Sequence, residues 1–154
     1  TAGTDEKCAL AVEHGAAHCI NYRKGNWVAE VKRLAGGGVG AVMDAVGKDT
    51  WEGSLDCLAP LGVMISFGAA SGKPPAVEVG TLAAKGSLFL TRPTVFTHIA
   101  TRERTQAMAE DLFEMVGSGK VRIPVTSRMP LDQAAEAHRA LEARATTGST
   151  VLTV

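Results

Sequence analysis

Residues 41–68 read AVMDAVGKDTWEGSLDCLAPLGVMISFG. Two short apolar runs, 41–46 and 62–67, each lead into a glycine, Gly47 and Gly68. Between them a helix-like segment opens at Asp49 or Thr50 and runs to Leu58, where Pro60 stops it. Proline has no N–H and its ring clashes with the preceding turn. Apolar runs that are continuous rather than alternating mark strands buried on both faces. The stretch therefore predicts a strand–helix–strand unit of a parallel sheet covered on both faces.

The flanking sequence repeats the alternation. Thr4 is placed to cap a helix with Asp5 and Glu6 in its first turn, the favourable end of the helix dipole, and His14-Gly15 reads as its stop. Residues 18–22 read as a short strand. Asn26 caps a second helix over 27–35, with Val28, Val31, Leu34 and Ala35 on one face, ended by Gly36-Gly37-Gly38. After a loop over 68–80, a helical turn at 81–85 precedes a strand from Ser87 to Thr91. A long helix over 101–116 carries Met108, Leu112, Met115 and Val116 at helical spacing. A strand at 125–129, an Ala-rich helix at 131–143 and a last strand at 149–154 complete the pattern.

The 154 residues are 45% apolar and 21% charged, ordinary globular usage, which argues against a disordered chain. Lys and Arg number 16, as do Asp and Glu, so no basic excess points to nucleic acid or an anionic membrane surface. No apolar run approaches the roughly 18 residues of a membrane span. Cys8, Cys19 and Cys57 form no CxxC pair, and no basic segment followed by an apolar one opens the chain. That usage fits a reduced, cytoplasmic protein.

In open parallel sheets ligands bind outside the carboxyl ends of the strands. The candidate positions are therefore Tyr22, Ala45-Val46-Gly47, Phe67-Gly68-Ala69-Ala70 and Arg92-Pro93-Thr94. Two of these carry glycine directly after the strand, where a ligand can approach the backbone closely. GGGVG at 36–40 has the composition of a phosphate loop but follows a helix and precedes a strand, which reads as a plain turn. Asp44 is open to two readings, a structural hydrogen-bond acceptor or a contact to a ribose hydroxyl. His14, His18 and Cys19 do not share a helical face, which argues against a zinc site. His98 and His138 are isolated, and neither lies near a GxSxG nucleophile. Trp27 and Trp51 each open a helix and read as packing residues. Lys7, Tyr22 and Arg144 have the chemistry to flank an adenine and pair with a phosphate, or are simply solvated.

Taken together, four segments resemble a known family: TDEKCALAVEHGAAHCINY at 4–22, DAVGKDTWEGSLDCLAPLGVMISFGAASG at 44–72, KGSLFLTRPT at 85–94 and ARATTGSTVL at 143–152. They are similar to the C-terminal half of NADPH-dependent quinone oxidoreductases, the zeta-crystallin-like group of the medium-chain dehydrogenase/reductase superfamily. The resemblance covers nearly the whole chain. It implies an incomplete doubly wound (Rossmann) parallel sheet lacking its first βαβ unit and the phosphate loop there. It further implies that residues from about 120 to 154 belong with the catalytic-domain side, and that the GroES-like domain is absent. On this reading the sequence is a fragment, inactive alone.

The resemblance also implies site residues. Gly3, Thr4 and Lys7 correspond to the loop on the adenosine ribose and its 2′-phosphate, which implies NADP preference. Tyr22 matches a tyrosine at the adenine end. Val46 and Gly47, then Phe67, Gly68, Ala69 and Ala70, match strand ends along the cofactor, with Ala69 where some relatives have Asn. Pro93, Thr94 and Val95 match the segment at the nicotinamide amide. Arg144 matches a basic residue near the cofactor phosphate. The implied chemistry is hydride transfer from NADPH to a quinone, with no catalytic acid or base in this half and no zinc. The implied assembly is a homodimer paired through the strand from Ser87 to Thr91. The alternatives are an enoyl-reductase-like enzyme acting on a carbon–carbon double bond, and a non-enzymatic truncated or structural product that only dimerises.

Overall fold

A computed structural model describes all residues from Thr1 to Val154. The chain divides into two compact units, residues 1–100 and 101–154. In the first unit, α1 (Asp5–Glu13) and α2 (Trp27–Ala35) precede β1 (Val39–Asp44), α3 (Trp51–Asp56), β2 (Leu58–Ser66), α4 (Val79–Ala84), β3 (Phe89–Thr91) and the short α5 (Val95–His98). The three strands form one parallel sheet in the order β1-β2-β3. This is the open α/β arrangement expected from the alternation.

Local chemistry sets the helix starts. The Thr4 hydroxyl accepts from the Lys7 N–H at 3.2 Å, and the Asn26 side chain accepts from the Ala29 N–H at 3.0 Å. Gly36 ends α2 at φ 69°, a left-handed conformation that glycine adopts without a Cβ penalty.

Three expectations need correction. Residues 18–22 form no strand. Their one ladder contact is a parallel bridge between Ala2 and Asn21, with Ala2 N–H donating to Ile20 and Tyr22 N–H to Ala2. A strand needs a neighbour of comparable length, and the segment before Asp5 offers only that single pairing. The helix at 50–58 ends instead at Asp56, because Leu58 already pairs with Val39 as the first residue of β2. The ladder then skips residues 59–62 and resumes at Ala41 opposite Val63. Leu61 sits at φ 63°, and its N–H donates to Gly86 at 2.8 Å. Tertiary pairing here overrides local propensity.

The third correction concerns coverage. Val42, Met64 and Leu90 lie in register and share one face of the sheet. That face carries the core, in which Trp51, Leu55, Leu58, Met64 and Leu88 are buried and Val77 and Leu82 pack against them. On the opposite face Met43 and Phe89 are 72% and 61% exposed. Within the first unit the sheet is therefore covered on one face, not two. Trp27 packs across α3, so close to Gly53 that a Cβ there would lie 2.3 Å from the indole. Lys85 pairs with Asp56 and lies 3.6 Å from Glu52, joining the end of α4 to α3.

In the second unit, α6 (Arg102–Gly117) is followed by β4 (Val125–Pro130), a 3-10 turn (Leu131–Gln133), α7 (Ala134–Glu142) and β5 (Ser149–Thr153). β4 and β5 pair in parallel with α7 between them in sequence. Gly148, at φ 69°, admits β5 beside Pro124 and Thr126, where a Cβ would meet the Pro124 carbonyl at 2.8 Å.

Candidate functional site

The carboxyl ends of β1 and β2 are tied into a single structure by Asp44. Its side chain is buried, and one oxygen accepts from the N–H groups of Val46 (2.8 Å) and Gly47 (2.9 Å). The other accepts from the hydroxyls of Thr50 and Ser54, both at 2.7 Å. Burial pushes the Asp44 carboxyl up, but the four donors together outweigh it and hold the group below its ordinary value. Of the two readings of Asp44, the structural one is what the geometry displays: all four contacts are internal and orient the turn at Val46-Gly47.

The second turn docks on the first. Phe67 and Gly68 N–H donate to the Asp44 carbonyl, Ala70 N–H to Ala45 and Ser71 N–H to Val46. The Ser71 hydroxyl donates to Val46 and accepts from Asp49 N–H, while Lys48 N–H donates to Gly72. The two strand-end glycines serve this docking. A Cβ on Gly68 would lie 2.3 Å from the Ala45 carbonyl oxygen, and one on Gly47, at φ 88°, would lie 2.6 Å from that of Gly72. Val46, Gly47, Phe67, Gly68, Ala69 and Ala70 thus form one hydrogen-bonded shelf.

Beside the shelf an open cleft of about 670 Å³ is lined by Phe67, Arg92, Pro93, Thr94, Val95 and His98. It joins the ends of β2 and β3 and brings together five of the residues singled out as candidates in the sequence, Phe67, Arg92, Pro93, Thr94 and Val95. His98 is an addition, since the sequence offered it only as an isolated histidine. Arg92 is fixed at the cleft wall, donating to the Ser66 hydroxyl at 3.2 Å and the Gly68 carbonyl at 2.9 Å. Its place directly after a strand was a usable signal. His98 arrives through α5, a single turn too short to be read from periodicity.

Gly3, Thr4, Lys7 and Tyr22 gather around the start of α1. A Cβ on Gly3 would lie 2.9 Å from the Tyr22 hydroxyl and 3.5 Å from Arg23 Nε. Of the two acids in the first turn of α1, Asp5 is taken up by Asn21 (2.8 Å) and an ion pair with Lys24. Those two contacts hold its carboxyl below the ordinary value. Arg144 belongs to the second unit, in the turn between α7 and β5, at φ 56°. That unit has its own cleft of about 370 Å³, in which His138 is the one titratable lining residue.

The sequence between His14 and Leu152 matches the family model described as zinc-binding dehydrogenase. The chain belongs to the zinc-binding dehydrogenase family. It is 48% identical over 153 residues to a quinone oxidoreductase of Pseudomonas aeruginosa, covering 99% of this chain and 47% of that protein. It is 39% identical over 154 residues to a 2-haloacrylate reductase of a Burkholderia species, covering 99% and 46%. Among solved structures, the Escherichia coli quinone oxidoreductase complexed with NADPH superimposes with a TM-score of 0.93 at 43% identity, over 99% of this chain and 48% of that one. The chain thus spans about half the length of the curated relatives it matches. The likeness shows this α/β fold to be the one found in quinone oxidoreductases. No three or more His, Cys, Asp or Glu side chains are grouped to hold a metal ion, so the zinc of the family description does not fit these residues. No helix is long and apolar enough to cross a membrane.

Proposed function

We propose that this chain is the NADPH-binding portion of a quinone reductase. The observation that carries the reading is the shelf and cleft at the carboxyl ends of β1, β2 and β3, on a fold that superimposes with a TM-score of 0.93 on a quinone oxidoreductase complexed with NADPH. Ligand sites of open parallel sheets lie at these strand ends. When bound, NADPH supplies the hydride, and the quinone takes up that hydride and a proton to become the hydroquinone.

The chain's own residues bind and orient. Gly3, Thr4 and Lys7 hold the adenosine ribose and its 2′-phosphate, with Lys7 as the cation that selects the phosphate. Asp5, already engaged by Asn21 and Lys24, does not compete for a ribose hydroxyl. Tyr22 flanks the adenine. Val46, Gly47, Phe67, Gly68, Ala69 and Ala70 support the middle of the cofactor as the rigid shelf. Pro93, Thr94 and Val95 orient the nicotinamide amide in the cleft. Residues from about 120 to 154 belong on the side of a GroES-like catalytic domain, in keeping with a β4–β5 sheet separate from β1–β2–β3. β3 lies at the edge of its sheet, and the segment from Ser87 to Thr91, in which the strand begins only at Phe89, pairs there with a second copy. The three unpaired cysteines suit a cytoplasmic location.

A second reading shares this cofactor site and differs in the acceptor. The 39% identity to a 2-haloacrylate reductase favours a carbon–carbon double bond as the group reduced. Turnover of a benzoquinone against a haloacrylate separates the two.

The site itself is tested by titrating the isotope-labelled chain with NADPH and following backbone amide resonances. The expected shifts fall on Gly3, Lys7, Gly47, Gly68, Thr94 and Val95, and are smaller with NADH at the first two. Resonances that do not move at millimolar NADPH, or that move elsewhere, would overturn the assignment and favour a non-enzymatic role.

A further inference from the structure

We propose that the cleft beside the shelf takes an electron acceptor that carries a carboxylate, held between Arg92 and His98. The inference rests on the reading of this cleft as the nicotinamide end of the site, and it adds the chemical class of the acceptor. The side chains that line the cleft include Arg92 and His98 and no acid. The ion pairs of the chain lie elsewhere, at Asp5–Lys24, Glu30–Arg33, Lys85 with Glu52 and Asp56, and Glu136–Arg139. Neither basic group is therefore neutralised by a carboxylate of its own chain.

Arg92 is oriented before any ligand arrives. Its Nη1 group donates to the Ser66 hydroxyl at 3.2 Å and to the Gly68 carbonyl at 2.9 Å. The Nε–H and the Nη2 group remain, and a guanidinium presents these as a parallel pair that matches the two oxygens of a carboxylate. With Nη1 already anchored, little side-chain freedom is left to lose on binding. His98 reaches the cleft through the turn of α5, in which Thr97 N–H donates to Thr94 at 3.2 Å and Ile99 N–H to Val95 at 2.9 Å. That turn sets Val95 and His98 on one side, and both line the cleft. The imidazole has an N–H to donate in either protonation state. Phe67, Pro93 and Val95 supply apolar walls for a planar unsaturated ring. An anionic acceptor meets the walls and both polar groups, whereas an uncharged one meets the walls without the charge-assisted contact.

The test titrates the isotope-labelled chain with benzoate, whose ring matches that of a quinone in size, and with benzyl alcohol as its uncharged counterpart. The expected shifts fall on Arg92 Nε–H, the His98 ring and the amides of Thr94 and Val95. Benzoate should bind about fivefold or more tighter than benzyl alcohol, the effect of a charge-assisted contact in an open cleft. Arg92→Lys keeps the charge and loses the fork, and His98→Ala removes the second donor without touching the Arg92 anchor. Each should weaken benzoate about threefold or more and leave benzyl alcohol within about twofold. Equal affinity for the two probes would overturn the proposal. So would inorganic phosphate displacing benzoate at equal concentration, which would assign the two groups to a cofactor phosphate. NADPH shifts at Gly3 and Lys7, with no benzoate shift at Arg92 or His98, would leave the cofactor reading standing and overturn this one. The reverse pattern would support this site and count against the cofactor reading.

Discussion

Gly68 and Ala45 approach so closely that a Cβ on Gly68 would sit 2.3 Å from the Ala45 carbonyl oxygen. The obstacle is backbone, which cannot swing aside as a side chain can. The turn after β2 therefore rests on the turn after β1, and Gly68 also offers its carbonyl to Arg92 at the cleft wall. Gly68→Ala should destabilise the chain by about 1–3 kcal/mol, the range for forced overpacking. Urea unfolding would show it as a lower midpoint with an unchanged slope. Ala69→Gly should fall well short of that. Equal midpoints for Gly68→Ala and wild type would mean that the shelf is not packed as described.

Asp44 supplies the other half of that shelf, and it makes stability depend on pH. Burial opposes its ionised form, and the donors from Ser54, Thr50, Gly47 and Val46 prevail, so its folded value lies below the ordinary 3.8. A depressed carboxylate stabilises the fold above its unfolded value and loses that contribution as pH falls through the folded one. The loss belongs below about pH 4. Asp44→Asn turns one acceptor into a donor facing donors. It should lower stability at pH 7 by about 2–4 kcal/mol and flatten the acid limb of the midpoint-against-pH curve. An unaltered acid limb in the variant would assign the acid loss to other groups.

The parts of this fold that were legible in the sequence are those in which local chemistry and tertiary context agree. Thr4 and Asn26 are cap residues by type, and both side chains accept the expected N–H. β1 and β2 were legible from the runs 41–46 and 62–67, with their bounds shifted to Val39–Asp44 and Leu58–Ser66, because apolar runs bounded by glycine have few other uses. Residues 18–22 look the same locally, but strand formation depends on a partner, and the segment finds only Ala2. Leu58 reads as the last turn of a helix and is instead the first rung of β2, a fact held by Val39 some twenty positions away. At the site, the strand-end rule located the shelf and most of the cleft. It did not show that Gly47 and Gly68 are needed for loop against loop, nor that the short α5 brings His98 to the cleft wall.

Gly53 lies within α3, where glycine is worth about 1 kcal/mol less than alanine by propensity alone. Its reason to be there is the Trp27 indole, 2.3 Å from where a Cβ would be. Gly53→Ala should lower stability by about 1–2 kcal/mol in the wild-type background, because the ring must move. In a Trp27→Ala background the same change should raise stability by up to about 1 kcal/mol. The sign reversal is read from a double-mutant cycle by chemical denaturation. Alanine effects of the same sign in both backgrounds would count against the packing described.

Cofactor affinity is the last point. Gly-rich loops grip a pyrophosphate when they join a strand to a helix N-terminus, where free N–H groups and the dipole face the anion. Gly36 to Gly38 join α2 to β1 in the opposite sense, helix to strand. On the proposed reading, the 154 residues would offer the ribose, shelf and nicotinamide contacts without that grip. The chain should bind NADPH with a dissociation constant in the millimolar range and turn over no quinone alone. Calorimetric titration would measure it, and a nanomolar constant would refute the assignment of contacts. If Lys7 is the cation on the 2′-phosphate, Lys7→Glu should weaken NADPH about tenfold or more while leaving NADH within about twofold, since one charge-assisted contact is worth roughly 1.5–3 kcal/mol. Equal losses for both cofactors would place Lys7 elsewhere than on the phosphate.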